Sequence, residues 1–218
     1  MRTRIKICCI SSVDEARLAI ASGADALGLV GRMPSGPGPI HDELIEEIAR
    51  QIHPPIASFL LTSEQSAAGI VAHIRRVHTN TVQIVDRLAE GRYEEIREAL
   101  PAVRLVQVIH VQTEDSIAEA VHLAPLVDAL LLDSGNPGAA TKILGGTGTP
   151  HNWDISRKIV QSVPVPVFLA GGLNAGNVDA AIEKVKPFGV DVCTGVRTNG
   201  NLDPEKLRAF VAAVWARK

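Results

Sequence analysis

The sequence predicts an α/β fold, a single (β/α)8 TIM barrel spanning residues 1–218, and three observations carry that expectation. Short apolar runs rich in β-branched residues alternate eight times with segments of helical period, as a parallel sheet with crossover helices requires. The chain has 218 residues and is 46% hydrophobic, close to the lower limit of about 200 residues for eight such units. No linker interrupts the rhythm. The two long Gly/Pro-rich stretches, 31–39 and 135–150, each follow a predicted strand and read as loops on one domain. Eight repeats in a chain this short favour closure over an open doubly wound sheet.

The elements follow in order. Strand one covers 5–8 and ends at the adjacent thiols Cys8 and Cys9, and Ser12 with Glu15 forms a capping-box pattern for the helix that follows. Strands two to eight are read at 26–30, 56–61, 81–85, 105–110, 129–133, 167–170 and 190–193. Each is apolar without polar alternation, as expected of a strand buried on both faces. Asp42, Ser63, Thr113 and Asn174 stand where further helix N-caps are expected. Gly23 and Gly91 mark turns, while Pro54, Pro101 and Pro164 fall just before strands. The segments Asp25-Ala-Leu and Asp128-Ala-Leu open strands two and six, which are equivalent positions if the barrel consists of two four-unit halves.

Composition narrows the function. With 22 Lys+Arg against 24 Asp+Glu, a net charge of −2 and only four Phe, two Trp and one Tyr, the chain offers neither a basic stripe nor stacking platforms, so no nucleic-acid partner is expected. No apolar run approaches the roughly 18 residues of a membrane span, and the first residues lack the pattern of a signal peptide. The expectation is a cytoplasmic protein with no membrane partner. Three cysteines, Cys8, Cys9 and Cys193, form neither a disulfide framework nor a metal-ligand spacing and are expected to be free thiols.

In a barrel of this kind the reactive groups gather at the C-terminal strand ends. Gly171-Gly172 after strand seven and Thr194-Gly195 after strand eight either cradle a phosphate with backbone N–H groups or simply make tight turns. Asp133, ending a run of three leucines, is either a carboxylic acid with a raised pKa or a turn cap for Ser134. Cys8 and Cys9 are expected to point to opposite faces of the strand, so that only one aims into the mouth. Cys8, on the same face as Lys6, is either a base working as a thiolate or an inert buried hydrophobe. Closure makes strands six, seven, eight and one a continuous arc, which sets an acid and a base either side of an anchored phosphate. That is the layout of a sugar-phosphate isomerase.

The same residues resemble the phosphoribosylanthranilate isomerase family of tryptophan biosynthesis. Lys6-Ile-Cys-Cys-Ile-Ser11 is similar to that family's Lys-Ile-Cys-Gly-Ile-Thr, and Gly23-Ala-Asp-Ala-Leu-Gly28 follows at the family's distance. Leu131-Leu-Asp-Ser134, Leu144-Gly-Gly-Thr-Gly148 with Trp153, Ala170-Gly-Gly-Leu-Asn-Ala-Gly-Asn-Val178, Gly189-Val-Asp-Val-Cys-Thr-Gly-Val196 and Asp203-Pro-Glu-Lys206 continue the likeness in order along the whole chain.

The resemblance implies an Amadori rearrangement of N-(5-phosphoribosyl)anthranilate, with Cys8 as general base and Asp133 as general acid. It further implies phosphate binding around Gly172 and Gly195, an acidic Asp191 near the substrate, and no cofactor or metal. The expected partner is a small phosphorylated sugar, bound by a monomer or homodimer.

Four departures stand out. The loop 34–40 lacks the arginine that the family uses toward its substrate, Val82-Gln-Ile-Val-Asp86 lacks the family's strand-four histidine, Thr194-Gly-Val-Arg197 ends in arginine where the family has glutamate, and Cys9 replaces a glycine. Arg32 or Arg197 is expected to supply the missing positive charge. The alternatives are a paralogue that isomerises another phosphorylated sugar and a non-catalytic barrel that binds a phosphate ligand.

Overall fold

Eight parallel strands close into a barrel in sequence order, each followed by a helix on the outside. The computed structural model describes residues 2–135, 144 and 151–216. The strands are β1 (Arg4–Ile7), β2 (Ala26–Val30), β3 (Ala57–Thr62), β4 (Thr81–Ile84), β5 (Arg104–His110), β6 (Ala129–Asp133), β7 (Val167–Leu169) and β8 (Gly189–Val192). Every predicted strand is found within one residue of its expected ends. The helices are α1 (Val13–Ala21), α2 (Asp42–Gln51), α3 (Ala67–Val77), α4 (Tyr93–Ala99), α5 (Asp115–Leu123), α6 (Trp153–Ser162), α7 (Val178–Val185) and α8 (Pro204–Trp215). A two-stranded ribbon, β9 (Arg197–Thr198) and β10 (Asn201–Leu202), precedes α8.

Closure depends on β1 pairing with β8, which sets Lys6 beside Asp191 and Ile7 beside Val192. The period-2 alternation of strand side chains then separates two cores. Ile5, Ile7, Leu27, Leu29 and Leu60 face outward to the helices, whereas Ala26, Phe59, Val106, Leu131 and Phe168 fill the barrel. The predicted loop 135–150, with Gly145-Gly-Thr-Gly148, lies outside the described residues apart from Gly135 and Leu144.

Ser12 caps α1 as expected, its Oγ accepting the Glu15 N–H at 3.1 Å. The other four expected caps are displaced by one to three residues. His41 precedes α2, and the Asp42 carboxylate instead holds His73 at 3.1 Å and Arg76 at 2.9 Å. Ser66, not Ser63, caps α3, while the Ser63 hydroxyl donates to the Arg32 carbonyl. Glu114 and Asn177 occupy the cap positions of α5 and α7, and the Thr113 and Asn174 side chains close turns upstream by accepting the N–H groups of Asp115 and Gly176. The reason is chemical: short polar side chains satisfy turn N–H groups as readily as helical ones.

The repeated Asp-Ala-Leu segments prove equivalent in space. Asp25, just before β2, accepts the Ile5 N–H of β1 at 2.9 Å and pairs with Arg4; Asp128, just before β6, accepts the Leu105 N–H of β5 at 2.8 Å and pairs with Arg104. Each carboxylate ties the start of its own strand to the start of the strand before.

Candidate active site

At the opposite end, the C-terminal strand ends surround an open cleft, the usual place for the active site of such a barrel. Cys8, Cys9, Gln83, Asp133, Gly171, Gly172, Asp191, Cys193 and Thr194 all contribute to its wall. The strand-end residues picked from sequence therefore meet in one place, with Gly195 immediately behind Thr194 in the same turn.

Lys6 lies beneath this cleft. Its side chain is completely buried, donates from Nζ to Asp191 Oδ1 at 2.9 Å, and rests over the Phe59 ring at 5.3 Å from the centroid. Burial by itself would drive off the proton, but the Asp191 charge, supported by Cys8 and Cys9, overrides it and raises the pKa above that of an ordinary lysine. A fixed cation therefore sits below the Cys8 thiol.

The two adjacent thiols are driven apart in acidity. The Cys8 pKa is lowered first by a hydrogen bond from the Cys9 thiol and then, against burial, by the Lys6 charge. The Cys9 pKa is pushed well up by its interactions with Cys193 and Cys8 and by burial, so Cys9 stays a donor. The expectation that only one of them faces the mouth is corrected. β1 ends at Ile7, and Cys9 takes φ 62°, which turns its side chain into the cleft beside Cys8. Strand alternation does not extend past the strand.

Asp133 has the opposite shift to Cys8. Burial raises its pKa, aided by the negative Asp191, and the opposing Ser134 N–H, which donates at 2.7 Å, does not cancel this. Both readings of Asp133 made from sequence are thus present in one residue: the carboxyl accepts from Ser134 and is shifted toward the protonated acid.

The glycines after β7 and β8 are there for steric reasons. Gly171 and Gly172 have φ of 84° and 64°, and a Cβ at Gly195 would lie 2.0 Å from the Leu173 carbonyl oxygen. The two turns can approach so closely only without side chains. Among the described residues, the N–H groups of Gly171, Gly172, Thr194 and Gly195 pair with no backbone carbonyl.

Residues 5–213 match the family of N-(5'-phosphoribosyl)anthranilate (PRA) isomerases. The chain belongs to this family. It is 36% identical over 210 residues to N-(5'-phosphoribosyl)anthranilate isomerase 2 of Methanosarcina mazei, covering 95% of this chain and 92% of that one. It is 33% identical over 217 residues to the isomerase of Methanocella arvoryzae, covering 99% of this chain and all of the relative. The crystal structure of phosphoribosyl anthranilate isomerase from Thermotoga maritima superposes with a TM-score of 0.81 at 26% identity, covering 99% of this chain and 100% of that one.

The chain's departures from the family pattern acquire physical meaning here. Cys9 occupies a left-handed position, which favours the glycine of the family motif. Val85, in place of the family's histidine, joins the apolar wall of the cleft. The expectation that Arg197 faces the substrate is corrected. Its guanidinium is 8% exposed, grips both Glu15 oxygens at 3.0 and 2.9 Å, and donates to the Cys8, Cys9 and Gly200 carbonyls. All this engages it as a clamp behind the β1 end, outside the cleft lining. Arg32 is exposed at the rim, on a groove shared with Met33, Ser63, Glu64 and Asp86.

Sequence reasoning did not assign a role to Gln83, to the Glu15–Arg197 clamp or to the depth of the Lys6–Asp191 pair. Gln83 carried a signal, being the polar residue at an inward position of an apolar strand.

Proposed function

We infer that the protein catalyses the isomerisation of N-(5'-phosphoribosyl)anthranilate to 1-(2-carboxyphenylamino)-1-deoxyribulose 5-phosphate, a step of tryptophan biosynthesis. Membership of the isomerase family supports the activity. The observation that carries the mechanism is the convergence of a thiol of lowered pKa and a carboxyl of raised pKa on one cleft beside the glycine turns.

The backbone N–H groups at Gly171, Gly172, Thr194 and Gly195 hold the phosphate, which fixes the sugar between β6 and β1. Asp133 donates its proton to the ribose ring oxygen while the amine lone pair expels it. The C1–O bond breaks, and an iminium forms between C1 and the arylamine nitrogen. The Cys8 thiolate then takes the proton from C2, giving an enolamine that tautomerises to the ketone. Asp133 ends as carboxylate and Cys8 as thiol, so the two groups have exchanged charge across the substrate. Lys6 holds the negative charge on Cys8 before the transfer, and Asp191 keeps Lys6 in place. Arg32, on the loop after β2, is a basic side chain at the rim and is assigned to the anthranilate carboxylate, since Arg197 is committed to Glu15.

The test is steady-state turnover of N-(5'-phosphoribosyl)anthranilate by the wild type, Cys8→Ala and Asp133→Asn. The wild type is expected to turn over, and each variant to lose about 10²- to 10⁴-fold in kcat while keeping the wild-type far-UV spectrum. No turnover by the folded wild type contradicts the activity, and a fully active Cys8→Ala or Asp133→Asn contradicts the mechanism.

A further inference from the structure

The cleft has two unlike walls. Around β6, β7, β8 and β1 it carries Asp133, the glycine turns, Asp191 and Cys8, while around β2, β3 and β4 it carries Val30, Leu61 and Val85. In the ring order of the barrel, β4 stands opposite β8. Within the apolar wall, Gln83 is the exception. It is 3% exposed, its register neighbours on β3 and β5 are Leu61 and Val106, and its Oε1 is buried with no hydrogen-bond partner among the described residues. A buried carbonyl oxygen left unpaired lowers stability, and native cores rarely retain one without a use.

We propose that Gln83 is a specificity-determining binding residue, whose Oε1 accepts a hydrogen bond from the arylamine N–H that joins the anthranilate ring to the sugar. This rests on the function proposed above, since the phosphate end at β7 and β8 and the reacting carbons between Asp133 and Cys8 leave the aromatic end of the substrate against β2 to β4. On that side the apolar residues suit the ring, and the one donor the ring end presents to an acceptor is the N–H. The same N–H becomes part of the iminium after ring opening. A neutral carbonyl accepts more strongly from a cationic donor than from a neutral one, so the contact tightens as the reaction proceeds. Gln83 then favours the iminium over the ground state without adding a charge that would disturb Cys8 or Asp133.

The experiment compares wild type with Gln83→Met, which keeps the length and apolar packing but removes the acceptor. Three readouts are taken: turnover, thermal melting, and inhibition by the reduced product analogue and by its counterpart with an ether oxygen in place of the N–H. The wild type is expected to bind the N–H analogue at least about tenfold more tightly than the ether, and Gln83→Met to bind the two within about twofold. In the variant kcat is expected to fall about tenfold or more, with KM changing less, while the melting temperature equals or exceeds that of the wild type because an unpaired buried group has gone. An unchanged preference for the N–H analogue in Gln83→Met, or a wild type with no preference, overturns the assignment to Gln83 and leaves the isomerase reading intact. Absence of turnover by the wild type overturns that reading, and the assignment with it.

Discussion

At the lower rim of the barrel, Asp25 and Asp128 pair with arginines that are largely in water: the Arg4 and Arg104 side chains are 40% and 73% exposed. At the mouth, Lys6 and Asp191 form a pair at 0% and 9% exposure, directly under the Cys8 thiol. The rim pairs cost little to desolvate, and their strongest contacts are to backbone N–H groups, so they fasten strand starts. The buried pair carries a larger desolvation penalty, which at Lys6 the Asp191 charge overrides, yet apolar residues of similar volume serve a purely structural barrel about as well. Its presence makes sense as a fixed charge for Cys8. The lesson is that ion pairs between neighbouring strands of one fold fasten strand starts where water screens them, and set a fixed charge beneath the cleft where it does not.

The comparison can be broken most forcefully at Lys6. Lys6→Met is expected to lower kcat/KM by more than about 100-fold. Both limbs of the pH–rate profile should move to higher pH, because Lys6 lowers the pKa of Cys8 and also that of Asp133. An unmoved profile would reduce the pair to a structural one. Arg197→Met tests the clamp behind the mouth. It leaves Glu15 partly buried without its cation and is expected to cost about 3–5 kcal/mol of stability in chemical denaturation, with KM for the substrate changed by less than about twofold among the molecules that remain folded.

The lower rim should behave in the opposite manner. Asp128 is held below the usual carboxylate range, since the Leu105 N–H, Arg97 and Arg104 outweigh its burial. A carboxyl with a depressed folded pKa stabilises the fold above its unfolded pKa and loses that stabilisation as pH falls through the folded value. Asp128→Asn should therefore destabilise by about 1–2 kcal/mol at neutral pH, by progressively less as the pH falls below about 4, and leave kcat unchanged. The smallest effect is expected for Arg32→Ala: KM rises about three- to tenfold as a rim-exposed charge is lost, and the melting temperature stays within error of the wild type. An unchanged KM would remove Arg32 as the partner of the anthranilate carboxylate.

Much of this molecule could be read from its residues, and where the reading failed the cause is geometric. Short, mostly apolar runs located all eight strands, because a strand buried on both faces needs no regular alternation. The strand-end rule then brought Cys8, Asp133 and the glycine turns to one cleft. The Asp25 and Asp128 repeats were visible as a short sequence match, although what they do required the start of the preceding strand to be seen beside them. Arg197 was placed wrongly because its partner, Glu15, is 182 residues away in sequence and reaches it only when β8 closes on β1. Cys9 was read as pointing outward because alternation was carried one residue past the end of β1, where the backbone turns left-handed. Gln83 was visible as a polar residue in an apolar strand, yet its unpaired oxygen appears only once its neighbours on β3 and β5 are known.

The central claim is that a buried lysine keeps Cys8 ready as a thiolate in a site whose acid is kept protonated. The most direct measurement is the pH dependence of Cys8 alkylation by iodoacetamide, followed on the Cys8-containing peptide by mass spectrometry with Cys9→Ala as a parallel sample. The wild type is predicted to titrate below the roughly 8.5 of an unperturbed cysteine, with the midpoint moving upward in Cys9→Ala and, less so, in Lys6→Met. A wild-type midpoint at or above that of a free cysteine, unmoved by the loss of Lys6, would contradict the account.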